Sequence, residues 1–156
     1  MLIETPAQFV ELQKRCIEET LQVIEDAKSK TGIVLPYRPQ IRFGLRGMTA
    51  GTANGEDKII QFNPTLLREN PEHFVRFTTR HEVAHLLARH VYSDSIDAHG
   101  QEWRKIVLAI GGRNERCHSY SVRNVPTMFG KTRNPHAVRQ DGRVKQTEFG
   151  RVIQLD

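Results

Sequence analysis

An α+β fold follows from three features of the 156-residue sequence. Apolar residues recur with helical period from Phe9 to Ala27. Three short, glycine-punctuated runs alternate between Ile41 and Asn63, which predicts a small and mainly antiparallel sheet. Helical spacing then returns from Pro71 to Ile110.

The first helix opens at Thr5-Pro6-Ala7-Gln8. Thr5 can cap, Pro6 suits the first helical position, and Gln8 completes a capping box. Its buried stripe is predicted as Phe9, Leu12, Cys16, Val23 and Ala27, widened by Val10, Ile17, Leu21 and Ile24, and Gly32 ends it. Pro36 and Pro39 hold the chain extended into a strand whose Ile41, Phe43 and Leu45 alternate with Arg42, Gly44 and Arg46. A second short strand is expected around Thr49–Ala53 and a third over Lys58–Asn63, with Asn54-Gly55 favouring a tight hairpin turn between them. Asn70 and Pro71 open the next long helix, which runs through Phe74, Phe77, Ala84 and Ala88 to about His90. A polar loop, Tyr92–Ala98, leads to a last helix over Gly100–Ile110, stopped by Gly111-Gly112.

Composition narrows the function classes. With 38% hydrophobic and 26% charged residues the chain is an ordinary globular one. No apolar run approaches the ~20 residues of a membrane span, and the first residues lack a secretory pattern. Cys16 and Cys117, without any Cys-x-x-Cys pair, exclude a disulfide scaffold and a thiolate zinc ribbon; two free thiols fit a reducing cytoplasm, the expected location. The net charge of +5 is uneven: residues 123–156 hold seven Lys/Arg against three Asp/Glu. This basic extension, with Asp141-Gly142 between two β-like runs, offers a hairpin surface for a polyanion such as DNA, or a merely solubilising one.

The chemistry concentrates in His81-Glu82-Val83-Ala84-His85. Four residues apart on a helix, the two histidines lie about 40° apart on one face, so two imidazole nitrogens can converge on one metal ion. Glu82 sits about 100° around from His81, beside such a metal, where it can take a proton from an activated water. Phe74, Phe77, Ala84 and Ala88 are placed on the histidines' face, with Val83, Leu86 and Leu87 opposite, so this helix is expected to be buried. Buried histidines and a buried glutamate are costly without partners, and a metal supplies them.

A catalytic zinc takes three protein ligands and keeps one position open. His99, fourteen residues after His85 and next to Gly100, is the best third ligand because the loop lets the chain reverse. His90 is the competitor, but on a continuing helix it points away from both histidines. Asp94, Asp97 and Glu102 are the carboxylate alternatives. Trp103 is expected to pack the following helix against the site, and Glu102 to reach a ligand histidine or the surface. His118 or Tyr120 could stabilise an oxyanion, whereas Cys117 has no recognisable triad.

His81-Glu-Val-Ala-His85, the short loop and His99-Gly-Gln-Glu-Trp103 together resemble the SprT-like metallopeptidases, the family that includes the DNA–protein crosslink protease Spartan. Gly51-Thr-Ala-Asn-Gly and Ile59-Ile-Gln-Phe-Asn63-Pro64 are similar to the family's strand pair and Asn-Pro turn. The resemblance covers about Phe9 to Val122. It implies a zincin-like domain over residues 1–122, a separate basic extension over 123–156, one Zn2+ held by His81, His85 and His99, and Glu82 as catalytic base. It also implies proteins, including DNA-associated ones, as substrates. The extension departs from bacterial relatives that end in a cysteine zinc ribbon. The expectation is therefore a monomeric peptidase without a membrane partner. The rivals are a non-catalytic, zinc-stabilised nucleic-acid-binding module and a zinc hydrolase of another bond.

Overall fold

The computed structural model describes residues 5–126. The expected hairpin about Asp141-Gly142 and most of the basic extension lie outside the described residues. The elements run α1 (Pro6–Thr31), β1 (Gln40–Arg42), β2 (Gly51–Asn54), β3 (Ile59–Phe62), α2 (Pro64–Glu69), α3 (Pro71–His73), a π-helical turn (Phe74–Thr78), α4 (Thr79–Tyr92) and α5 (Gln101–Ala109). The architecture is α+β.

Helix α1 begins with the capping box its sequence encodes. The Gln8 N–H donates to Thr5 Oγ1 at 3.1 Å, and the Thr5 N–H donates to Gln8 Oε1 at 3.0 Å. Gly32, at φ 77°, ends the helix in the left-handed conformation open to glycine. The buried face is Leu12, Cys16, Thr20, Val23 and Ala27. Thr20 fits this apolar stripe because its hydroxyl donates to the Cys16 carbonyl at 2.7 Å.

The sheet is mixed, which corrects the mainly antiparallel expectation. Its order is β1-β3-β2, with β2 antiparallel and β1 parallel to β3. The hairpin makes β2 and β3 antiparallel, but the chain leaving β1 crosses the end of the sheet before forming β2. Strand β1 therefore lies on the far side of β3, in register Gln40↔Ile59. The β2–β3 turn also differs from the tight turn expected at Asn54-Gly55. Asn54 pairs with Ile59, so four residues connect the strands. Asn54 Oδ1 accepts from the Asp57 N–H at 2.9 Å, and Lys58 takes φ 59°.

Asn63 joins sheet to helix. It is fully buried; its Oδ1 caps α2 by accepting from the Thr65 N–H at 3.1 Å. Its Nδ2 donates to the Gly47 and Thr49 carbonyls at 3.0 and 3.1 Å, tying the lead-in of β2 to the same point. Helix α2 was not predicted. It is one short turn pair, closed by Asn70, whose Nδ2 donates back to the Leu66 carbonyl at 3.0 Å.

The long helix predicted from Pro71 is interrupted by the π turn. One extra residue in a turn rotates everything before it by about 100° relative to a regular helix. Phe74 is thereby turned off the histidine face into the core, where its ring meets Phe62 edge-on at 5.5 Å. Phe77, at the other end of the turn, stays half-buried on the histidine side. Past the turn, α4 buries Val83, Ala84, Leu86, Leu87 and Ala88 against α1, β2 and α5. Helix α5 contributes Trp103, Ile106 and Val107 and ends before Gly111 at φ 88°.

From Arg113 to Pro126 the chain is irregular and crosses back over α4 as a strap. Val125 is buried in the core, and the Gly47 N–H donates to the Pro126 carbonyl at 3.2 Å.

Candidate metal centre

Helix α4 presents His81 and His85 one turn apart, and the loop before α5 brings in His99. The three Nε2 atoms stand 3.1 Å from one another. His85 is buried; His81 and His99 are half-buried. Burial, reinforced by His99 and His118, pushes His81 down to about 3. Burial and the nearby guanidinium groups of Arg116 and Arg104 push His99 down to about 4. His85 lies well below its ordinary value, first through burial. All three rings are therefore neutral at pH 7, the form that binds a metal.

Hydrogen bonding alone does not satisfy this triangle. Each Nε2 carries either one N–H or one lone pair, yet faces two equivalent neighbours. A cation satisfies all three. Three neutral imidazole nitrogens at this spacing would hold an ion such as zinc, leaving room for a further ligand. The donor set and spacing thus fit a three-histidine metal site with a free position.

Trp103 forms the back of this site. Its ring centroid lies 4.8, 5.3 and 4.6 Å from those of His81, His85 and His99. Its fully buried indole donates to the His81 carbonyl at 3.3 Å. The expected packing role of Trp103 is what the structure shows. Glu102 does not hold a histidine by its far nitrogen at His99, because His99 Nδ1 is buried without a hydrogen-bond partner. Gly100 serves by close approach rather than by an unusual φ. A Cβ there would lie 3.1 Å from Asp97 Cβ and 3.3 Å from the Asp97 carbonyl oxygen.

Glu82 is 2% exposed and rests on the start of β2. A Cβ on Gly51 would come within 2.8 Å of Glu82 Oε1 and 3.0 Å of its Cγ. Glycine at the head of this strand is what leaves room for the carboxylate beside the histidines. Nothing in the local sequence signals this contact, which spans 31 residues of chain between Gly51 and Glu82.

The remaining ligand alternatives are elsewhere. His90 is exposed further along α4, Asp94 pairs with Arg89 at 2.9 Å, and Asp97 is exposed in the loop. Among the described residues the one metal-competent cluster is His81, His85 and His99.

A cleft opens beside the cluster. Thr49–Gly51 form one wall, His81 and Glu82 the floor, and the strap from Arg113 to Tyr120 the other wall. Two side chains hold the strap. His118 Nδ1 accepts from the Tyr120 N–H at 3.1 Å, which leaves its Nε2–H to donate to the Met48 carbonyl. The Tyr120 hydroxyl lies 2.7 Å from His73 Nδ1 and 3.1 Å from Thr78 Oγ1. Burial pushes this phenol up to about 12. Both ring nitrogens of His118 are occupied by backbone, so His118 fastens the strap rather than serving an oxyanion. Cys117 lines the cleft, and Cys16 is buried with its thiol pushed up to about 12, chiefly by desolvation. Sequence reasoning missed Gly51, His73 and Thr78, whose roles exist only through long-range contacts.

The chain is similar in sequence to known proteins. The model of the SprT-like family matches residues 15–126. The chain is 45% identical over 91 residues to Protein SprT of Pseudomonas aeruginosa, a stretch covering 58% of this chain and 55% of the relative. It is 40% identical over 119 residues to Protein SprT of Pseudomonas putida, covering 75% of this chain and 70% of that one. The match to Protein SprT of Pseudomonas entomophila is also 40% identical, over 122 residues, 76% and 71% of the two chains. The chain thus spans about half the length of the first of these relatives. No solved structure matches it. Among the described residues no helix is long and apolar enough to cross a membrane.

Proposed function

The chain belongs to the SprT-like family, and from that premise we propose that it is a zinc-dependent peptidase. The observation that carries this reading is the convergence of three neutral histidine Nε2 atoms at 3.1 Å on the floor of an open cleft, with Glu82 beside them. His81, His85 and His99 would hold the ion. Bound there, zinc supplies Lewis acidity, polarising a carbonyl and bringing the pKa of water to ~7.

The chain's own groups do the rest. Strand β2 is an edge of the sheet, paired to β3 on one side only among the described residues. Its lead-in, Thr49–Gly51, lines the cleft, so an extended peptide can lie along it by backbone hydrogen bonding. Gly51 keeps Glu82 close to this edge. Glu82 takes a proton from the attacking water and delivers it to the leaving amine nitrogen as the C–N bond breaks. Three imidazoles and one open position suit such chemistry, whereas a purely structural zinc is closed by four protein ligands.

Proteolysis of an unfolded protein by the zinc-loaded chain and by Glu82→Gln, with and without single-stranded DNA, tests the reading. Glu82→Gln is expected to keep zinc and fold and to lose at least about 10²–10⁴-fold in turnover. Near wild-type turnover by zinc-loaded Glu82→Gln would refute it. The basic extension is proposed to recruit DNA-associated substrates; stimulation by DNA that disappears at high salt is the expected sign.

A further inference from the structure

Two arginines on the strap face the cleft, and the reaction above gives them no task. Arg113 is held over the Phe77 ring, its guanidinium carbon 4.2 Å from the centroid, with Glu115 at 3.8 Å. That ion pair is half-exposed on both sides and so is weak enough for a better placed carboxylate to displace. Arg116 is exposed, lines the same cleft, and has no ion-pair or hydrogen-bond partner among the described residues. Arg76 adds a third guanidinium at 5.3 Å from the Phe77 centroid. Outside the metal centre, the acid on this wall is Glu115 alone.

We propose that this wall is a specificity subsite that selects an acidic side chain in the bound peptide, with Arg116 as the principal contact and Arg113 as the second. The proposal rests on the peptidase reading, and deepens it by naming the substrate chemistry. A peptide extended along β2 points successive side chains to opposite faces of the sheet, so every second one shares a face. Across the cleft stand the guanidinium groups, whose planar N–H forks match a carboxylate. The Phe77 ring is already engaged by Arg113, Arg76 and His73, the last at 4.7 Å between centroids. No nucleobase stacks there without displacing a guanidinium, which favours a carboxylate over a single-stranded nucleic acid. The selection concerns one side chain of the segment in the cleft, not the net charge of the substrate protein.

The test uses the zinc-loaded full chain and peptides identical except for Glu, Gln or Lys at one position, scanned along the sequence. Two readouts are taken: kcat/KM with the wild type, and Kd with Glu82→Gln, which needs no hydrolysis. At one position Glu is expected to exceed Gln by about 3–10-fold, with Lys below both. Arg116→Glu should invert the order to favour Lys, and Arg116→Lys should retain it, both at unchanged zinc content. Equal Glu, Gln and Lys at every position in both readouts overturns the proposal, as does an unaltered order in Arg116→Glu. So does an oligodeoxynucleotide that competes with the peptides and whose binding alone is lost in Arg116→Glu. Because the Kd readout is independent of turnover, a chain that cleaves nothing but prefers Glu refutes the peptidase reading and supports the subsite.

Discussion

The floor of the cleft and its strap wall are built in opposite ways. The floor helix carries His81, Glu82 and His85 on a segment buried on nearly all sides, and its side chains are aimed by core packing. The strap from Arg113 to Pro126 has no regular structure, and a few polar contacts and Val125 hold it in place. The metal-competent groups thus sit on the element fixed by core packing, and the arginines proposed to meet a substrate sit on the irregular one.

Breaking the rigid side should cost most. His99→Ala removes one of three nitrogens and should abolish zinc binding and hydrolysis together, whereas His90→Ala should leave both intact. Elemental analysis of the two variants decides this. Gly51→Ala places a Cβ 2.8 Å from Glu82 Oε1 and must displace the carboxylate. Misplacement of this kind costs about 10²-fold. The expected result is full zinc content with strongly reduced kcat, measured on one protein sample.

Acid acts on the floor histidines. His81 and His99 fold with values of about 3 and 4 against 6.5 when free, so the unfolded chain binds protons first. Stability of the metal-free protein is therefore complete above pH 6.5 and lost progressively as pH falls from there towards 3. Urea unfolding in chelator at pH 7 and pH 5 checks the sign, and zinc should add stability at pH 7 by mass action. The smallest effect is expected on the strap. Tyr120→Phe deletes a hydroxyl shared with His73 and Thr78 and should cost about 0.5–1.5 kcal/mol, with zinc retained. A loss of zinc in Tyr120→Phe would show that the strap supports the metal centre as well as the cleft.

The same contrast explains what the sequence made legible. Thr5 with Gln8, Gly32 after α1, and the spacing of His81 and His85 are local patterns, and each acts within a turn or two of helix. The reach of the loop to His99 is nearly as local. The parallel pairing of β1 with β3 depends on which side of the hairpin a strand docks, and no residue in β1 encodes that side. The π turn arises because two packing demands, Phe74 on the core and Phe77 on the cleft, cannot both be met by a regular helix. Gly51 reads as a turn glycine until Glu82 is seen against it. The oxyanion role considered for His118 fails because its ring is spent on Met48 and Tyr120.

The fastening of His118 to Met48 also bears on the order of assembly. It joins residues 70 apart, while the histidine triangle closes over separations of 4, 14 and 18. Loop-closure entropy differs by only about 1 kcal/mol between 18 and 70 residues, so the two closures differ little in cost. They differ in timing. A chain synthesised from its N-terminus presents His81, His85, His99 and Trp103 before any residue of the strap exists. The expected order of folding follows the order of synthesis, the histidine cluster first and the strap second. Pulse-labelled hydrogen exchange during refolding should show α4 and α5 protected before the Tyr120 amide; simultaneous protection would place strap closure in the folding nucleus instead.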